Sequence, residues 1–254
     1  MVDLVNELEG KVAIVTGSAR NIGRTTAEEL ARAGAAVVIN ALQSKDLCEE
    51  VADGIVKSGG KAIPFVADIT KDEDVSRMVD EATSVFGGID ILVNNAASRS
   101  NIPFVDLTLV DWEAALGAAL QAAYRMSKAC VPHMIARGGG SIISVGGMSS
   151  HQGAPGRAHG MASKAGLQGL TRGLAIDLGP ENIRANIVVV GAFDTDRSSP
   201  SASKSAVPEG LDIPLGRKGV PQDLANLIRF LVGPGASYIS GQTIHCNGAA
   251  HTPL

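Results

Sequence analysis

The first residues suited to chemistry are Thr16-Gly17-Ser18-Ala19-Arg20-Asn21-Ile22-Gly23, which follow the apolar run Lys11-Val12-Ala13-Ile14-Val15 and precede a helical pattern. A strand, a tight glycine turn and a helix N-terminus aim backbone N–H groups and the helix dipole at one point, which makes an anion site. Two glycines alone say little, but in this setting they point to a dinucleotide pyrophosphate. Gly17, Arg20, Asn21, Ile22 and Gly23 are therefore candidate cofactor contacts. The residue following the second strand selects the dinucleotide, because an acid there binds a ribose diol and repels a 2′-phosphate. That position reads Asn40, followed by Ala41-Leu42-Gln43-Ser44, with no acid before Asp46. Arg20 offers a planar fork that suits a phosphate. NADP is expected over NAD, with a solvated loop charge as the competing reading of Arg20.

The elements that must position this turn alternate along the chain. Strands are expected at Lys11–Val15, Ala36–Ile39, Lys61–Val66, Ile89–Val93, Ser141–Val145, Ile183–Val190 and around Thr243–Cys246. Helices are expected at Ile22–Ala33, Lys45–Lys57, from a capping box at Thr70-Lys71-Asp72-Glu73 to Phe86, near Asp111–Ala136, Ala162–Leu178 and Pro221–Leu231. Continuously apolar strands separated by helices indicate a parallel sheet covered on both faces. No repeat or linker appears, so residues 1–254 read as one domain of Rossmann-type, doubly wound α/β class. The segment from Asp194 to Gly216 is rich in Ser and poor in large apolar residues. It reads as a surface loop or as a substrate lid beyond the strand ends.

Composition narrows the function classes. Hydrophobic residues are 45% and charged residues 19% of the 254, which excludes disorder. A net charge of −4 argues against nucleic acid as a partner. No apolar stretch approaches the roughly 20 residues of a membrane span, and the first residues lack a secretory pattern. Cys48, Cys130 and Cys246 form no close pair, so no disulfide framework or metal is expected and a reducing, cytoplasmic setting fits. His133, His245 and His251 fit no metal-ligand spacing and read as packing or surface residues.

Beyond the turn, Asp68 after the third strand, Asn94-Asn95-Ala96-Ala97 after the fourth, Ala162-Ser163-Lys164, and the ending Tyr238-Ile239-Ser240-Gly241-Gln242 resemble the short-chain dehydrogenase/reductases. The resemblance runs from Lys11 to Gly248 in that family's order. It implies seven parallel strands, a nicotinamide cofactor, a small-molecule substrate, and a homodimer or homotetramer built through two long central helices. It places Asp68 and Ile69 beside the adenine, Asn95 and Ala96 by its ribose, and Lys164 at the nicotinamide ribose. Gly191, Phe193 and Thr195 would meet the nicotinamide. The middle glycine of the turn is Asn21 here, a residue that tolerates positive φ.

The same resemblance implies four catalytic groups: an asparagine, a serine, a tyrosine and a lysine. Lys164 is present; the tyrosine position holds Gly160, the serine position Gly147 and the asparagine position Ala119. Tyr124 and Tyr238, the two tyrosines of the chain, lie elsewhere. His159 has the pKa range for acid/base work. On a helix continuous with Lys164, however, it would point about 140° away, so it reaches the cleft only from a loop. His151 and Ser149-Ser150 could line the pocket, and Arg197 and Lys204 could meet an anionic substrate. A simple ketone is a poor substrate without an acid; an imine or conjugated enoyl group is less demanding. The 2,4-dienoyl-CoA reductase branch of the family similarly lacks the tyrosine. The expected activity is an NADP-dependent oxidoreductase using Lys164 and His159. A silent nucleotide-binding protein or a non-redox lyase or isomerase are the alternatives.

Overall fold

The structure, a computed structural model, describes residues 6–195 and 212–252. Arg197, Lys204 and most of the expected lid lie outside them. The elements are β1 (Val12–Val15), α1 (Asn21–Arg32), β2 (Ala36–Ala41), α2 (Lys45–Lys57), β3 (Lys61–Val66), α3 (Asp72–Phe86), β4 (Ile91–Asn94), α4 (Leu109–Leu116), α5 (Ala122–Ala136), β5 (Gly140–Gly147), α6 (Ser149–Gln152), α7 (Ala158–Leu178), β6 (Ile183–Val190), α8 (Pro221–Val232) and β7 (Thr243–Cys246). The strands form one sheet in the order β3-β2-β1-β4-β5-β6-β7, and every pairing is parallel. Strand order reverses between β1 and β4, which opens a crevice beyond their carboxyl ends.

β1, β4 and β6 are buried on both faces, as their largely apolar sequences require. One core joins the sheet to α1, α2 and α8 through Leu30, Val51, Leu224 and Ile228. The other joins it to α3 and α5 through Val75, Met78, Met126 and Met134. Leu120, Ala123, Leu167 and Leu170 pack on Ile187 and bind α7 to the second face.

Two expectations about helices are corrected. Thr70 does not cap α3: its hydroxyl donates to Asp68 Oδ1 at 2.7 Å, and the helix starts after Lys71 with no side-chain cap. A capping box forms instead at Thr108, whose Oγ1 accepts from the Asp111 N–H at 3.2 Å while Asp111 accepts the Thr108 N–H at 3.3 Å. The long central helix is not continuous either. A π-helical turn, Gly117–Gln121, separates α4 from α5, and Ala119 lies buried within it. Such insertions recur at functional sites because they re-aim the helix face.

One ion cluster pins the sheet's outer helices. Glu29 of α1 is 3% exposed and accepts from Arg229 of α8 at 2.8 Å; Gln222 and Arg32 also bond it. Arg229 grips Glu7 with two bonds of 2.7 Å. The bond from Arg229 holds the Glu7 carboxyl below its ordinary 4.5. Burial pushes Glu29 up, but its bonds to Arg229, Arg32 and Gln222 outweigh that and hold it low. Removing the guanidinium strands the Glu7 carboxylate and takes one of three partners from Glu29. Arg229→Met should cost about 3–5 kcal/mol in urea unfolding. Because both carboxyls titrate lower folded than unfolded, the cluster's contribution should be present above pH 4.5 and fade as pH falls below it.

Candidate active site

The glycine turn is built by close contact. Gly17 has φ +62° and Asn21 φ +49°, so the asparagine adopts the left-handed conformation that its short polar side chain tolerates. A Cβ on Gly23 would lie 2.3 Å from the Gly17 carbonyl oxygen and 2.6 Å from Asn95 Nδ2. Asn95 Nδ2 donates to the carbonyls of Thr16 at 2.9 Å and Gly17 at 3.0 Å. Thr16 Oγ1 accepts the backbone N–H groups of Asn95 and Ala96 at 3.0 and 3.1 Å. The Asn95 amide, expected beside a ribose, is thus committed to clasping the turn. The N-terminus of α1 has no side-chain cap and no acid in its first turn, leaving its dipole for an incoming anion. Ile22 is buried in the core, and Arg20 is exposed at the N-cap.

Asn40 requires a correction. β2 continues to Ala41, so Asn40 lies inside the strand and is 2% exposed. Its Oδ1 accepts the Gly17 N–H at 3.2 Å, and its Nδ2 donates to the Phe65 and Ala67 carbonyls at 3.3 Å each. It ties the turn to β2 and β3. The strand-end position is Ala41, which is also not an acid. Past it, Arg20, Gln43, Ser44, Lys45, Asp46 and Leu47 line an open depression of about 290 Å³.

The remaining expected contacts vary in exposure. Asp68 Oδ1 accepts the Thr70 N–H at 3.0 Å, and Ile69 is buried in the core. A Cβ on Gly191 would meet Asn247 Cα at 2.6 Å, so this glycine admits the chain that follows β7. Phe193 is buried with its ring against Gly219, and Thr195 is partly exposed at the end of the described segment.

Lys164 reaches from α7 to the end of β5, where Nζ donates to the Val145 carbonyl at 2.5 Å. Burial, reinforced by the positive charge of Arg99, lowers its ammonium to about 8. Around it there is room. A Cβ on Gly160, one helical turn before Lys164, meets nothing within 4 Å, and one on Gly147 meets Ser149 Oγ at 4.0 Å. His159 does not sit in a loop: α7 begins at Ala158, and the histidine lies in its first turn, 1% exposed. Its Nε2 is 2.7 Å from Ser100 Oγ. Beside this contact, the Ile102 N–H donates to the Gly156 carbonyl at 2.9 Å, so two loops are stitched together at the cleft rim. Arg99 and the π-turn escaped the sequence reading. A lone loop arginine carries no pattern, and a π-turn leaves no periodicity distinct from a helix.

A family model described as enoyl-(acyl carrier protein) reductase matches residues 17–251. A 3-oxoacyl-[acyl-carrier-protein] reductase FabG from Aquifex aeolicus is 36% identical over 245 residues, covering 95% of this chain and 98% of that one. The chain belongs to the short-chain dehydrogenase/reductase family. Within it, 7alpha-hydroxysteroid dehydrogenase of Escherichia coli K12 is 36% identical over 247 residues, covering 95% of this chain and 94% of that one. A solved 7 alpha-hydroxysteroid dehydrogenase, complexed with NADH and 7-oxo glycochenodeoxycholic acid, superposes with a TM-score of 0.92 at 35% identity and full coverage of both chains. As a short-chain dehydrogenase/reductase, the chain has the seven-stranded doubly wound sheet expected of it. Because Gly23 touches backbone, Gly23→Ala should cost about 1–3 kcal/mol in thermal unfolding and abolish most dinucleotide binding in a fluorescence titration.

Proposed function

We propose that this chain is an NADP(H)-dependent oxidoreductase in which Lys164 takes over the proton transfer that the family assigns to tyrosine. The observation that carries this reading is the ammonium poised at about 8 beside open space at Gly147 and Gly160. The uncapped N-terminus of α1, with Gly17, Asn21, Ile22 and Gly23, fits a pyrophosphate. The depression lined by Arg20, Ser44 and Lys45 suits a 2′-phosphate, with Asp46 also on its lining and no carboxylate at Ala41. When bound, the nicotinamide supplies or accepts the hydride.

The chain's own groups then do the rest. Asp68, Ile69 and Ala96 border the adenosine side; Gly191, Phe193 and Thr195 border the nicotinamide side. Lys164, steadied by the Val145 carbonyl, holds a proton near the reacting carbon and delivers it to the oxygen or nitrogen that gains charge. An acid with a pKa close to working pH is the efficient choice for that step. Ala119 offers no polar group to relay a proton, so solvent recharges the lysine. A small carbonyl-like, imine or conjugated enoyl substrate suits a site with one donor. His159 serves as a positioning residue that secures the Ser100 loop. Assembly as a homodimer or homotetramer is supported by the exposed Phe104, Val105, Leu109 and Val110 beside the central helices. Among the described residues no helix can cross a membrane, and three free thiols suit a cytoplasmic setting.

The open space at Gly147 and Gly160 also favours a second reading, a nucleotide-binding protein without turnover. The two separate when NADPH binding is followed by fluorescence and oxidation by absorbance against ketones, imines and enoyl thioesters. Turnover supports the enzyme, binding without turnover the silent protein, and no binding a non-redox role. Reductive turnover should fall as pH rises through about 8, where the Lys164 ammonium loses its proton. Lys164→Met should lower the rate about 10²–10⁴-fold. Since a desolvated charge opposes folding, the same variant should melt a few degrees higher at pH 7. Ala41→Asp should move preference from NADPH toward NADH by at least about tenfold in Kd, by repulsion of the 2′-phosphate.

A further inference from the structure

Three histidines that sequence spacing leaves unrelated meet at the β7 edge of the sheet. His151 comes from α6, His245 from β7 and His251 from the segment after β7. Their ring centroids are 4.5 Å apart for His151–His245, 5.6 Å for His245–His251 and 6.0 Å for His151–His251. All three side chains are partly buried. His245 Nδ1 is buried without a hydrogen-bond partner, an orphan that usually calls for a water or an ion. His151 Nε2 lies 2.5 Å from the Gln168 amide.

We propose that His151, His245 and His251 form a binding site for one borderline divalent cation, of which Zn²⁺ is the type. Three imidazole nitrogens at about 2.0–2.1 Å from a metal set ring centroids about 5 Å apart, close to the spacing found. As the chain stands, no group of described donors is assembled for a metal. The imidazole torsions are broad, so the site asks for rotation of the rings to bring their nitrogens together. A half-turn of the Gln168 amide presents its oxygen to His151 Nε2–H, leaving Nδ1 as the lone-pair donor and giving the ligand its outer-shell partner. Cys246 alternates to the other face of β7 and packs against the first core, so it is not part of the set. Water supplies the fourth position. The cation would fasten the chain after β7 to α6, next to Gly147.

The test is calorimetric titration of tag-free protein with ZnCl2, with MgCl2 as a hard-cation control and melting temperature as a second readout. One Zn²⁺ per chain, a higher melting temperature, and at least a tenfold loss of affinity in each of His245→Asn and His251→Asn would support the site. Melting of each variant without metal checks that it folds, and His251→Asn near the chain end keeps the test open if His245→Asn does not. No binding by the parent protein, equal binding of Mg²⁺, or unchanged Zn²⁺ binding in both variants (metal held by thiols or other histidines) would overturn it.

Discussion

The active-site end of this molecule depends on how closely two backbones approach. The glycine turn and the loop after β4 touch through Gly23, and the Asn95 amide holds the gap closed by donating to two carbonyls of the turn. Asn40 braces the same turn from beneath through the Gly17 N–H. With those carbonyls engaged, the N-terminus of α1 stands uncapped at the end of the turn, the arrangement that gives an anion its binding energy. Neither asparagine need touch a ligand for binding to depend on it.

The second constraint is electrostatic. Lys164 is carried into the crevice by a helix that starts six residues earlier, and its ammonium donates to a neutral carbonyl. Desolvation with a cation nearby lowers its proton affinity into the range where transfer is efficient. The sheet and α7 are what bring the lysine into the crevice.

Much of this was legible in the chain. Most strands are short, largely apolar runs, and α2 and β3 fall on the bounds expected from the sequence. Asn21 could be expected to carry positive φ because its side chain permits it, and it does. What failed were features decided by tertiary context. Thr70 lost its capping role to Asp68, which competes for the hydroxyl. Asn40 looked like a surface selector because sequence cannot tell a strand's last residue from its next-to-last two. The helix expected from Ala162 starts at Ala158, so His159 lies in its first turn, in contact with Ser100. The histidine cluster was illegible because its members lie up to a hundred residues apart, as the separation of His151 from His251 makes plain.

Four glycines, at 160, 166, 169 and 173, run through α7. Each weakens an isolated helix by roughly 0.5–1 kcal/mol relative to alanine, so this segment has little intrinsic tendency to coil. It borrows its order from the sheet beneath it, where Leu167 packs on Ile187 and Leu120 presses against Gly166. The position of the lysine therefore depends on that docking rather than on the helix's own propensity.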